Sequence, residues 1–181
     1  MARTKKAETE TQQQGPILTI YRRPYDQLEW FGQRGRGDHV ISFTNRRQLT
    51  IEWGQCDPAG IVFNSRFFEL FDSCTWHLFQ AALGVKPHEL KSTFGIMGIP
   101  LVDVRANFIK PIKFGDIVDT ASRVSEFRRS SFDVEHHLLV NGELAVEGSE
   151  TRVWVTRRKD NPEKVGGASI PGDVIAKFKV A

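Results

Sequence analysis

The stretch from residue 64 to 83 constrains this chain more than any other. Phe67, Leu70, Phe71, Cys74, Leu78, Ala81 and Ala82 recur at helical spacing, and Phe68, Trp76 and Phe79 add apolar surface on the flanks. Asn64 or Ser65 stands where a helix is capped, Gly84 where one closes, and Pro87 follows. A helix this apolar must be enclosed by other elements. With 181 residues the chain is long enough for one such core, and two full domains would be cramped.

The enclosing elements read as strands. Residues 43–53 form one, with Leu49, Ile51 and Trp53 alternating with polar neighbours. After a linker to Gly98, four further strand patterns cover 99–109, 117–127, 131–140 and 143–156. Val102, Val104, Ala106 and Phe108 mark one face of the first of these, and Asn141-Gly142 is a type I′ hairpin turn between the last two. One buried helix with about five antiparallel strands gives an α+β domain whose sheet wraps the helix.

Outside that domain, residues 1–16 are polar and Gln-rich and end in Gly15-Pro16, too little apolar surface to offset the entropy of ordering. They are expected to form a disordered tail. Residues 17–43 form an N-terminal extension whose packing the sequence leaves open, and the folded domain is expected over 44–181. Arg36-Gly37-Asp38 spells an adhesion tripeptide, which at three residues reads as a chance match.

A 40 % apolar, 26 % charged composition is that of an ordinary globular chain. No apolar run is long enough for a membrane span, and the first residues lack the apolar stretch of a secretory signal, so the cytoplasm is the expected location. Cys56 and Cys74 have neither metal-ligand spacing nor disulfide-scaffold density and are read as reduced. A net charge of +3 suits a phosphorylated ligand as well as nucleic acid. The basic residues are scattered and carry no nucleic-acid-binding motif, which argues against the second.

The chemistry concentrates in Gly54-Gln55-Cys56-Asp57-Pro58-Ala59-Gly60-Ile61-Val62, where a carboxylate sits in a tight turn directly before the apolar helix. The unpaired N–H groups and positive dipole end of a helix favour oxyanions. Asp57 beside them offers a nucleophile or base, so the run reads as a site for acyl transfer to water. Asp-Pro-Ala-Gly is also a good turn sequence in its own right. Cys56 has no apparent base to activate it, and His77 and His136-His137 lack the spacing of a metal site.

This run resembles, nearly residue for residue, the Cys-Asp-Pro-Ala-Gly-Ile-Val segment of the 4-hydroxybenzoyl-CoA thioesterase family, a branch of the hotdog-fold acyl-CoA thioesterases. Glu52, Gly54, Phe67-Phe68 and Asp72 match as well, and the resemblance runs over roughly 44–175, including Ile170-Pro171-Gly172-Asp173. Pro111-Ile112-Lys113-Phe114-Gly115-Asp116 looks like the Pro-x-x-x-Gly-Asp turn of many hotdog proteins. The resemblance implies that Asp57 attacks the thioester or activates water, that the Asn64 backbone N–H polarises the carbonyl, and that Asp72 supports the site. It also implies that Glu126-Phe127-Arg128-Arg129-Ser130-Ser131-Phe132 binds the CoA phosphates through Arg128, Arg129 and Ser130, with Ser130 in place of a third basic residue. CoA would enter as part of the substrate, with no separate cofactor and no metal. The expected assembly is at least a homodimer, with a tetramer favoured.

Phe63-Asn64 stands where many bacterial relatives acting on short aliphatic acyl-CoAs have Tyr-His, which favours an aromatic or compact acyl group. The alternative is a hotdog protein that binds acyl-CoA without hydrolysing it, and the intact Asp57 argues against that. The Asp-x-x-x-x-His dyad of hotdog hydratases is absent from the helix start.

Overall fold

The computed structural model describes residues 43–179. The expectations for the tail and, Phe43 apart, for the N-terminal extension lie outside the described residues.

Helix α1 spans Asn64–Leu83 and buries Phe67, Phe71, Cys74, Thr75, Leu78 and Phe79. Gly84 ends it in the left-handed conformation (φ 71°), with its N–H donated to the carbonyl of Gln80, where a side chain would be strained. At the other end the cap is Phe63 rather than Asn64 or Ser65, and it makes no side-chain capping bond. The first-turn N–H groups therefore lack a capping side chain, a departure that matters at the site below.

Strands β1 (Thr44–Thr50), β2 (Leu101–Phe108), β3 (Ile117–Phe127), β4 (Ser131–Val140) and β5 (Glu143–Val153) form one antiparallel sheet in the order β1-β3-β4-β5-β2. Asn141 (φ 52°) and Gly142 (φ 78°) both take the positive φ that a type I′ turn requires, which sets the β4–β5 register. Strand β1 stops at Thr50, short of the expected Trp53. Residues Trp53–Gln55 instead form a 3₁₀ turn, and Trp53 turns outward, 66 % exposed, to meet Phe114 edge-on at 5.6 Å. The last long strand likewise breaks at Trp154, after which β6 (Val155–Arg157) pairs with β7 (Val165–Gly167) in a separate hairpin. Short helices α2 (Leu90–Phe94) and α3 (Gly172–Lys177) pack at the periphery.

The core divides along α1. Its N-terminal half packs Phe67 and Phe71 with Ile51, Val62, Ile112, Val118, Leu138 and Val146. Its C-terminal half packs Leu78 and Phe79 with Phe132, Val134, Trp154 and Phe178. Phe71 shows how closely the helix sits on the sheet. A Cβ on Gly148 of β5 would lie 2.4 Å from its ring, so only glycine fits there. The ring also stacks on His136 at 5.0 Å. Truncating a phenylalanine so enclosed costs about 3–5 kcal/mol. Among the described residues no helix is long and apolar enough to cross a membrane.

Candidate active site

Asp57 is held by its own turn. Its Oδ1 accepts the N–H of Ala59 at 2.8 Å, its carbonyl accepts the N–H of Gly60 at 2.9 Å, and its N–H donates to the carbonyl of Ile61 at 2.9 Å. Gly60, at φ 77°, supplies the left-handed residue that closes the loop. Cys56 and Val62 then pair across it as an antiparallel bridge.

A second turn braces the first. Ile61 bridges to Lys113, and the N–H of Val62 donates to the carbonyl of Ile112 at 2.8 Å. Within Pro111-Ile112-Lys113-Phe114-Gly115-Asp116, Asp116 Oδ2 accepts the N–H of Lys113 at 2.7 Å, and Gly115 takes φ 82°. The N–H of Gly115 donates back to the carbonyl of Ile51, the residue that follows β1. The loop before the helix is thus fixed by backbone bonds on both sides, which suits a group that must be aimed before substrate arrives.

Asp57 and Asn64 line one cleft of about 440 Å³ together with Phe63, Phe67, Phe108, Ile109 and Lys110. The N–H of Asn64 is the first of the helix and has no acceptor among the described residues, as expected where no side chain caps the end. Asp57 Oδ2 likewise takes no donor among them. Phe67 and Phe108 meet at 5.1 Å with a 58° tilt and form an aromatic wall. A carboxylate oxygen and an unpaired helix N–H on an aromatic cleft are what acyl transfer to water needs: an attacking group and a donor for the carbonyl oxygen.

Asp72 does not line this cleft. It lies about 12 Å farther along the helix than Asn64, at 1.5 Å per residue, with half its side chain exposed. The partner it requires is Arg152 of β5, whose Nη2 reaches Oδ1 at 2.6 Å. Arg152 is forked onto Glu150, Nε–Oε2 and Nη2–Oε1 both 2.9 Å, and also donates to the carbonyl of Ile99 at 3.2 Å. Thr75 donates to Glu150 Oε2 at 2.6 Å, His136 Nε2 lies 3.5 Å from the same oxygen, and His136 Nδ1 meets Ser122 Oγ at 2.8 Å. Burial opposes the charge on Glu150, but hydrogen bonds from His136 and Arg152 outweigh it and draw its pKa down to about 2. No buried side-chain nitrogen or oxygen among the described residues lacks a partner.

Sequence reasoning missed Glu150 and Arg152, although a signal existed. Val146, Gly148, Glu150, Arg152 and Trp154 share one strand parity, and charges on an apolar parity mark a buried pair. Burial pushes the Cys74 thiol up, away from a nucleophile's range.

At the far end of β3, Arg128 is forked onto Asp133 and contacts Glu126, while Arg129 is exposed with no ion-pair partner among the described residues. The carbonyls of Arg129 and Ser130 accept the N–H groups of Ile170 and Trp154, which fixes the turn to the chain on either side of the β6–β7 hairpin. Among the described residues no group of three or more His, Cys, Asp or Glu is placed to hold a metal ion.

Residues 51–178 match the model of the thioesterase-like superfamily. The 4-hydroxybenzoyl-CoA thioesterase of Pseudomonas sp. (strain CBS-3) is 28 % identical over 134 residues, covering 71 % of this chain and 92 % of that protein. The crystal structure of a 4-hydroxybenzoyl-CoA thioesterase variant complexed with 4-hydroxybenzoyl-CoA superposes with a TM-score of 0.67 at 26 % identity, covering 75 % of this chain and 99 % of the other. A gentisyl-coenzyme A thioesterase gives 0.63 at 28 % identity, over 74 % and 99 % of the two chains. The sheet wrapped on α1 is the hotdog fold, and this chain belongs to the thioesterase-like superfamily as a hotdog-fold thioester hydrolase.

Proposed function

We propose that this enzyme hydrolyses an aromatic acyl-CoA to the free acid and CoA, with Asp57 as nucleophile or general base and the Asn64 N–H as the donor to the thioester oxygen. The observation that carries the reading is the meeting of an Asp57 oxygen and an unpaired helix N–H on one cleft walled by Phe63, Phe67 and Phe108. As the carbonyl is attacked, charge grows on its oxygen, and a fixed N–H at a helix start stabilises that charge without having to reorganise. The aromatic wall favours a flat acyl group, since tilted and stacked rings gain about 0.5–1.5 kcal/mol beyond their buried area. The matched proteins whose names specify 4-hydroxybenzoyl-CoA and gentisyl-coenzyme A support the same substrate class.

The nucleotide end of CoA is assigned to the turn at Arg128, Arg129 and Ser130. The working unit is taken as a homodimer, or a tetramer built from it, because edge strand β2 leaves Leu101 and Val102 exposed at one end and Phe108 exposed at the cleft. A panel of acyl-CoAs assayed for thiol release tests the reading. Benzoyl esters should exceed short aliphatic esters in kcat/KM by tenfold or more; equal rates, or no release with any ester, would overturn it.

A further inference from the structure

Two polar ties join α1 to one charged pair on the sheet. Asp72 accepts from Arg152 at 2.6 Å, and Thr75, one turn on, donates to Glu150 at 2.6 Å. Glu150 and Arg152 are themselves joined by two 2.9 Å bonds and are almost wholly buried. Burying ions in this way rarely adds stability over apolar residues of the same volume, so the pair calls for another reason. Directional bonds supply one. Apolar packing accepts small slides and rotations, whereas a forked guanidinium accepts one geometry.

We infer that Arg152, locked by Glu150, is a positioning residue: through Asp72 and Thr75 it sets the height and rotation of α1 over the sheet, and so places the N–H of Asn64. The helix is stiff and continuous from Asn64 through Thr75, so a shift at the ties carries to the first turn. A donor to a developing oxyanion tolerates little of it, and a misplacement of about 1 Å costs on the order of 10² in rate. The other contacts of α1 with this part of the sheet are the apolar packing of Phe67 and Phe71 and two long polar contacts, Thr75 Oγ1 to His136 Nε2 at 3.4 Å and Arg47 Nη1 to Ser73 Oγ at 3.5 Å, which hold a geometry far less firmly than the 2.6 Å ties. The catalytic consequence rests on the thioesterase reading above; the structural one does not.

The test replaces the charged pair by apolar residues, Glu150→Leu with Arg152→Met. Asp72, half exposed, can then be hydrated, and His136 keeps Ser122 and Thr75 within reach. The melting temperature should hold or rise, kcat should fall about tenfold or more, and KM should stay within about twofold, because the lost contact acts in the transition state. Arg152→Lys, which keeps the charge and loses the fork, should fall between. A crystal structure of the double variant should show α1 displaced by roughly 0.5–1 Å, the scale at which a catalytic contact fails; this readout needs no substrate and stands even if no acyl-CoA is hydrolysed. Should the double variant not fold, Thr75→Val removes one tie at constant volume and should lower kcat several-fold without raising KM. Turnover within twofold of wild type in whichever of these variants folds, or an unmoved helix in its crystal structure, overturns the inference.

Discussion

Arg128 and Asp133 meet fork to fork, Nη1–Oδ2 at 2.8 Å and Nη2–Oδ1 at 2.5 Å, and Glu126 contacts the same guanidinium at 2.6 Å. The hydrogen bonds hold Arg128 above, and Asp133 below, their usual ranges. One cation between two carboxylates leaves the cluster with a net charge of −1, a poor welcome for phosphate.

Arg129 is therefore expected to carry more of the CoA nucleotide binding than Arg128. Arg129→Ala should raise KM for a CoA ester about tenfold, the scale of one charge-assisted contact, with kcat little changed and the effect shrinking as salt rises. An acyl-pantetheine ester lacking the nucleotide serves as control and should be handled equally by variant and wild type. A larger KM effect from Arg128→Ala would reverse the assignment.

The N–H of Asn64 can be removed without breaking the helix. Asn64 is the first helical residue, where proline is well accepted, and Phe63 before it has the extended backbone (φ −64°, ψ 133°) that a following proline requires. Asn64→Pro should retain its circular dichroism and melting temperature while kcat falls by about 10²–10³, the loss seen for one oxyanion donor. Asn64→Ala keeps the N–H and should stay near wild type. Equal turnover by the two variants would remove the donor from the mechanism.

Glu150 gives the fold an acid limit. Its folded pKa lies at about 2, below the roughly 4.3 of an unfolded glutamate. A depressed carboxylate pKa contributes stability that is fully present above the unfolded value and is lost as pH falls through the folded one. Urea midpoints of wild type should drop between pH 4.5 and 2 by more than those of Glu150→Gln, which is less stable at pH 7 but flatter in that window. Parallel curves would mean that Glu150 is not ionised in the core.

Val102 stands 60 % exposed on the edge strand β2. If a second copy covers this edge, sedimentation at micromolar concentration should give a dimer or larger, and Val102→Lys should shift it toward monomer. A monomeric wild type would refute the assembly.

Much of the fold was legible in residue periodicity. β3 and β4 run from Ile117 to Phe127 and from Ser131 to Val140 as the alternation indicates, because each is buried on one face and the Asn141-Gly142 turn fixes their neighbour. Periodicity misled at Trp53, where the apolar parity continues but the chain has already turned into the Asp57 loop, and the ring finds Phe114 outside the core. That Asp57 stands beside the helix start was legible because the two adjoin in sequence, whereas Asn64 was singled out by the family resemblance; the structure puts both on one cleft. Arg152 was not: it reaches Asp72 across 80 residues, and only the folded sheet brings that partner into place.

Asp57 can be neutralised without disturbing the turn that holds it, since the Oδ1 of Asp57→Asn still accepts the N–H of Ala59. Steady-state kinetics of Asp57→Asn on a benzoyl-CoA ester therefore isolate the carboxylate's part in turnover. A fall in kcat of about 10²-fold or more with KM nearly unchanged is the expected result, because the charge acts chiefly in the transition state; turnover within a few-fold of wild type would contradict the mechanism.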